Sequence, residues 1–147
     1  MQKTGAAITP TPGAPVAFER EYDDVLPNVN FTWRFAPNQQ SIVYMSYVGR
    51  IPSIYVYEIG SGRQRLVVQN VATTFAPRFS PDGRRLVMSV QQGGNADIVS
   101  MDLASKAQRS ITNGMAIDTS PTYSPDGAQI AFESDRGGSQ QVYSTSS

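Results

Sequence analysis

The sequence predicts an all-β fold of the propeller type, with three four-stranded blades in one chain, and two observations carry that prediction. The phrase Phe79-Ser80-Pro81-Asp82-Gly83 returns as Tyr123-Ser124-Pro125-Asp126-Gly127 and, in weaker form, as Phe35-Ala36-Pro37-Asn38, so that Pro37, Pro81 and Pro125 stand 44 residues apart. The register continues past the phrase without a gap. Ile42, Leu86 and Ile130 align, as do Tyr44, Met88 and Phe132, then Gly49, Gly93 and Gly137, then Ile54, Ile98 and Val142. A self-similar period in the low forties with strand-like content marks a propeller blade. One such unit cannot bury both faces of its sheet, so stacked neighbours must supply the core.

Residues 1–15, rich in Pro and Gly, read as a flexible arm, with little to bury against the entropy of ordering. Residues 16–30 hold a strand-like segment, Val16–Arg20, and a connector to the repeats. The repeats occupy 31–74, 75–118 and 119–147. In each, a short first strand (Phe31–Ala36, Phe75–Ser80, Thr119–Ser124) runs into the turn phrase. Pro37, Pro81 and Pro125 preset φ, Asp82 and Asp126 tolerate the third position, and Gly83 and Gly127 accept the positive φ that follows. The two aspartates therefore read as turn formers rather than catalytic acids. Asn38-Gln39 replaces Asp-Gly in the first copy, so that turn is expected to be looser or of another type.

Second strands follow at Ile42–Ser46, Leu86–Val90 and Ile130–Ser134, apolar and β-branched as for a strand between sheets. After a Gly-containing loop come third strands at Ser53–Ile59, Asp97–Leu103 and Gln141–Ser144, and outer strands at Gln64–Val68 and Gln108–Thr112. The third repeat stops before its outer strand, which would leave a backbone edge open. Val16–Arg20 is expected to supply the missing strand, from the same or another chain. Three blades also leave an uncovered sheet face on the first and on the third, both expected to be apolar. Two chains are therefore expected to close one six-bladed ring as a C2 homodimer.

Composition excludes several functions. Twelve basic and twelve acidic residues cancel, and without a basic cluster the chain is not expected to bind nucleic acid. No apolar run is long enough for a membrane span or a signal peptide, so membrane insertion is not expected. Without Cys there is no disulfide or thiolate metal site, and without His the commonest general base and metal ligand are gone. No metal, cofactor or catalytic residue is expected, and the chain reads as a non-enzyme. Asp23-Asp24 point to opposite sides of an extended chain. Asp118 and Asp135 approach one end of the third blade, where Asp135 is expected to cap its own turn. Gly93-Gly94 and Gly137-Gly138 precede no helix and are hairpin turns, not phosphate loops. Trp33, Tyr44, Tyr47, Tyr55 and Tyr57 could form a carbohydrate platform, but their strand positions favour core packing.

The stretches Phe75-Ala76-Pro77-Arg78-Phe79-Ser80-Pro81-Asp82-Gly83, Thr119-Ser120-Pro121-Thr122-Tyr123-Ser124-Pro125-Asp126-Gly127 and Phe132-Glu133-Ser134-Asp135-Arg136-Gly137-Gly138 resemble the six-bladed propeller of the TolB family of the Tol–Pal envelope system. The resemblance runs from about Pro37 to Tyr143. It implies a periplasmic, non-enzymatic scaffold that binds the lipoprotein Pal. In that family a separate α/β domain precedes the propeller, and nothing here resembles it. An intact register beside a truncated repeat and an unrelated N-terminus reads as an excised, recombined or engineered fragment, half of a propeller. The alternatives are a carbohydrate-binding propeller or the non-catalytic propeller of a prolyl-oligopeptidase-like hydrolase.

Two sets of positions follow. Partner contact is expected at the loops before strand one and after strand two, which carry Arg50, Gln91, Gln92, Asn95, Asp118, Asp135 and Arg136. Arg34, Arg78 and Thr122 hold equivalent places on the innermost strands and are expected to line the channel, or to pack their stems between blades with the polar heads in water.

Overall fold

The computed structural model describes residues 33–48, 51–69 and 72–147. Among them the chain is all β, in three antiparallel sheets. The first blade runs β1 (Trp33–Phe35), β2 (Ser41–Val48), β3 (Ile51–Glu58) and β4 (Arg63–Gln69), in that spatial order. The second repeats it with β5 (Thr73–Phe79), β6 (Arg85–Gln92), β7 (Asn95–Asp102) and β8 (Gln108–Ser110). The third has β9 (Asp118–Tyr123), β10 (Gln129–Ser134) and β11 (Gln141–Ser146). Among the described residues no fourth strand pairs with β11. Val16–Arg20 and Arg50 lie outside the described residues.

The repeat holds down to the pairing of single residues. Ile42 faces Tyr57, Leu86 faces Met101, and Ile130 faces Thr145. The blades pack through these alternating faces. Val43, Met45, Ile54 and Val56 of the first blade meet Leu86, Met88 and Met101 of the second in one buried cluster. Val87 and Ile98, on the other face of the second blade, meet Ile130 and Phe132 of the third. At roughly 25 cal/mol per Å² of apolar surface removed from water, these two seams are the main force joining the sheets.

The free sheet faces differ from each other. On the first blade Trp33, Tyr44, Tyr55 and Leu66 fall in one cross-strand row, with Phe35 beside Ile42 on the same face. Tyr44 stacks on Tyr55 at 5.7 Å, while Trp33 (51%), Phe35 (43%) and Leu66 (44%) stay exposed. The aromatic set is thus divided. Tyr55 is buried within that face, whereas Trp33 and Tyr47 are exposed. The third blade corrects the expectation of a second apolar face. Its free face carries Gln129, Glu133, Ser144 and Ser146, with only Ala131 and Val142 apolar, because the strand alternation there places polar side chains outward.

The turn phrases fold alike in all three copies. Gly83 (φ 70) and Gly127 (φ 75) take the left-handed position, where each accepts a geometry costly to other residues. The Ser80 hydroxyl reaches Asp82 at 2.5 Å and accepts from the Arg85 amide at 2.9 Å, and Ser124, Asp126 and Gln129 repeat this. Of the two alternatives expected for the first turn, another type is ruled out, while Ala36 lacks the hydroxyl bonds that Ser80 makes. Gln39 adopts φ 55, and Asn38 Oδ1 accepts the Gln40 amide at 3.0 Å as Asp82 accepts that of Arg84. The backbone bonds closing the β1–β2 hairpin, Ala36 to Ser41 and Gln39 to Ala36, hold Gln39 there.

Candidate functional site

The loops before the first strand and after the second meet at one end of the third blade. Asp118 opens β9 and pairs in register with Ser134, which ends β10. This brings the 111–117 loop against the Asp135–Gly138 turn. The Asp135 carboxylate accepts the Ile117 amide at 2.8 Å, so it ties the two loops together. That corrects the expectation that it caps its own turn.

Asp118 is buried, with 2% exposure, and Arg136 is its counter-ion. A single guanidinium nitrogen, Nη2, donates to both carboxylate oxygens, at 3.0 and 2.9 Å. Arg136 Nε donates to the Ser134 hydroxyl at 2.9 Å. The guanidinium carbon lies 5.0 Å from the Phe132 ring centroid and 4.9 Å from that of Tyr143, a cation held over two aromatic rings. Burial alone pushes the Asp118 carboxyl up. The hydroxyls of Ser134 and Thr112 and the Arg136 charge outweigh it, so the group ionises below the ordinary aspartate range. Thr112 has one hydroxyl proton for two carboxylates. Its hydroxyl lies 3.5 Å from Asp97 Oδ1, and it also lowers the Asp118 carboxyl, so it stands between the two. A carboxyl held ionised in this way is not a general acid. A glycosidase acid must be raised, not lowered.

The repeat shows what is particular here. The position of Asp118 is Thr74 in the second blade, where Thr74 is buried and its hydroxyl lacks a partner among the described residues. The position of Arg136 is Gln92. The pair therefore belongs to the third blade rather than to the repeat. Beside it lies a groove of about 700 Å³ lined by Thr112, Met115, Asp118, Phe132, Arg136 and Tyr143. Met115 is 99% exposed.

Of the expected contact residues, Asp118, Asp135 and Arg136 come together, while Gln91 and Gln92 lie exposed at the end of β6. Asn95 is half-buried and donates to the Gly114 carbonyl at 2.6 Å, which steadies the Met115 loop. Asp118 is covered, and its carboxylate holds Arg136. Sequence reasoning missed Met115, Ser134, Phe132 and Tyr143 as parts of this end. An exposed Met flanked by Asn113-Gly114 in a polar loop was a readable signal for the first. Among the described residues, no three His, Cys, Asp or Glu side chains converge, and no helix is long and apolar enough to cross a membrane.

At the inner edge, β1 lies against β5 and β5 against β9. Arg34 Nη1 donates to the Trp33 carbonyl at 2.8 Å and Arg78 Nη1 to that of Pro77 at 3.1 Å. Arg34 and Thr122 are exposed and Arg78 is half-buried.

Comparison with known proteins accords with this architecture. The Tol-Pal system protein TolB of Zymomonas mobilis is 68% identical over 37 residues, 25% of this chain and 8% of that protein. That of Gluconobacter oxydans is 49% identical over 49 residues, 33% of this chain and 11% of that protein. The crystal structure of TolB from Acinetobacter baumannii matches with a TM-score of 0.73 at 34% identity, covering 78% of this chain and 29% of that one. The chain thus spans a small part of these relatives' length. The model of the TolB beta propeller domain matches residues 26–147, and by that match the chain belongs to the TolB beta propeller domain family.

Proposed function

We propose that the chain is a non-enzymatic protein-binding scaffold whose loop-bearing end docks a Pal-like envelope lipoprotein in the periplasm. The observation behind it is Arg136, whose side chain is 42% exposed yet held by buried Asp118 and two rings, beside fully exposed Met115. A preordered arginine next to a free apolar side chain has the composition of an interface hot spot. Gln91, Gln92, Asn95, Asp135 and Arg50 complete the contact, with Asp118 acting as the positioning residue for Arg136. The relatives named as Tol-Pal system proteins support the class of partner. A sequence without His or Cys supports a role without chemistry. Titrating the chain with a purified Pal ectodomain is the test. Arg136→Ala should weaken binding about tenfold or more. No binding by the parent chain, or unchanged affinity in the variant, ends the proposal. Binding to a glycan array instead of Pal would assign a carbohydrate ligand.

The proposal includes closure of a six-bladed ring by a second copy, the first blade of each chain against the third of the other. The exposed Trp33, Phe35 and Leu66 supply one half of such a seam. A polar partner face is compatible with it. The second blade already packs a face of Val87, Ser89, Ile98 and Ser100 on its neighbour, with Ser100 Oγ 3.0 Å from the Tyr123 hydroxyl. Light scattering at micromolar concentration should give twice the 16.0 kDa chain mass, and the single mass would remove the ring. Within it, Val16–Arg20 is the outer strand for β11. Truncating residues 1–24 should then cost closure, and an equally stable assembly would refute that role.

A further inference from the structure

The loop between β8 and β9 carries the sequence's only Asn-Gly step, Asn113-Gly114. That loop is anchored at both ends. The Ile111 and Thr112 amides donate to the Ile98 carbonyl at 2.8 and 3.2 Å, and the Ile117 amide donates to Asp135 at 2.8 Å. Across residues 113–116, among the described residues, the one hydrogen bond runs from Asn95 Nδ2 to the Gly114 carbonyl, at 2.6 Å. Asn113, Gly114 and Met115 are all exposed. Neither the Asn113 side chain nor the Gly114 N–H is engaged by the described residues.

Comparable groups elsewhere are held. Asn38 Oδ1 accepts the Gln40 amide at 3.0 Å, and the amide that follows it, that of Gln39, donates to Ala36 at 2.8 Å. Asn95 lies in β7 ahead of buried Ala96, with its own side-chain nitrogen on Gly114. The two Asp-Gly steps are held more firmly still. Asp82 and Asp126 each accept from a serine hydroxyl and from the amide two residues on, which keeps them ionised. The Gly83 and Gly127 amides each donate to a serine carbonyl at 2.9 Å. An ionised carboxylate and a bonded amide resist condensation, whereas Asn113 and Gly114 are open to each other and to water.

We infer that Asn113 is a self-modification site, where the Gly114 backbone nitrogen converts it to aspartate or isoaspartate and so places a carboxylate in the Arg136 groove. Hydroxide takes the Gly114 amide proton, and the nitrogen attacks Asn113 Cγ to form a new C–N bond. The Cγ–Nδ2 bond breaks, and Nδ2 leaves as ammonia with a proton from water. Water then opens the cyclic imide at either carbonyl, to aspartate or to isoaspartate, whose main chain runs through the former side-chain carbon. Glycine suits the step because it has no Cβ to crowd the attacking nitrogen. Asn113, Gly114 and Arg136 line one groove. A carboxylate there competes with Asp118 for the guanidinium, and the longer isoaspartate backbone draws Gly114 from Asn95. The modification stands if the Pal contact fails; its effect on a partner rests on that contact.

The test ages the full chain in mildly alkaline buffer and counts isoaspartate with an isoaspartyl methyltransferase and labelled S-adenosylmethionine, peptide mass spectra locating it. Isoaspartate should rise with time at Asn113, while Asn38, Asn95, Asp82 and Asp126 stay unchanged. Gly114→Val should slow the step about tenfold or more, since a branched side chain crowds the nitrogen. The variant should fold, because Gly114 is exposed, its φ is not left-handed, and a Cβ there would meet nothing nearer than the Ala116 nitrogen at 4.0 Å. In the aged chain the Arg136 Nε–Hε resonance should move and that of Arg109 should not. Absence of isoaspartate, equal yields at Asn38 and Asn95, or an unchanged rate in Gly114→Val would overturn the site. An unmoved Arg136 resonance in the converted chain would overturn its effect on the groove.

Discussion

Arg136 holds Asp118 through one nitrogen, Nη2, at 2.9 and 3.0 Å, and the two residues do not share the environment of the bond: the carboxylate side chain is 3% exposed and the guanidinium side chain 42%. That asymmetry decides what each substitution does. Arg136→Ala strands a buried carboxylate, while Asp118→Asn leaves a cation that water can still reach. We expect the arginine variant to lose about 2 kcal/mol and the asparagine variant about 1 kcal/mol. Urea denaturation checks the order, and the reverse order would mean that the pair is not limited by desolvation of Asp118.

Acid should act through the same group. Asp118 ionises lower in the folded chain than the unfolded value of about 3.9. Its contribution is therefore complete above that value and is lost as pH falls through the lower folded pKa. Thermal midpoints should be level from neutral pH to about pH 5 and drop below about pH 4. Asp82 and Asp126, lowered chiefly by the hydroxyls of Ser80 and Ser124, add to the same limb. Asp118→Asn should have a shallower acid limb than the parent, and parallel limbs would assign the drop elsewhere.

The three turns predict opposite signs for one kind of change. Gln39 carries the positive φ that Gly83 and Gly127 carry in the other blades. Gln39→Gly should stabilise by about 0.5–1 kcal/mol, through relief of a left-handed non-glycine residue. Gly127→Ala should destabilise by about 1 kcal/mol or more, since its Cβ would also stand 3.4 Å from Pro81 Cδ. Equilibrium denaturation of the two variants provides the comparison. Equal signs would show that the first turn is relaxed.

Gly137 bears on the site through space rather than backbone. Its φ is not positive, but a Cβ there would stand 2.9 Å from the Tyr143 hydroxyl. Gly137→Ala should turn Tyr143 aside and break its 4.9 Å contact with the Arg136 guanidinium. A shifted Arg136 Nε–Hε resonance with a stability loss of about 1 kcal/mol is the expected result. An unmoved resonance would show that Phe132 alone orders the arginine.

Repetition made the fold legible before any coordinate. Ile42, Leu86 and Ile130 had to be equivalent, and Gly83 and Gly127 had to be turn glycines, because local chemistry repeated at a fixed interval admits few backbones. The ends of the strands that bear loops were legible too, so Asp118, Asp135 and Arg136 could be grouped. Three things needed the tertiary structure. Gln39 takes a glycine's conformation because hydrogen bonds to Ala36 and Ser41 close the hairpin around it, whatever its own preference. Whether a free sheet face is aromatic or polar depends on which parity of each strand turns outward, and that parity is set by packing of the second blade on both neighbours. Arg136 is locked by a buried carboxylate 18 residues away and by rings on two other strands. Sequence spacing carries local preferences; burial, charge pairing and the side from which a ring approaches are properties of chain segments brought together, and they exist only once the blades have packed.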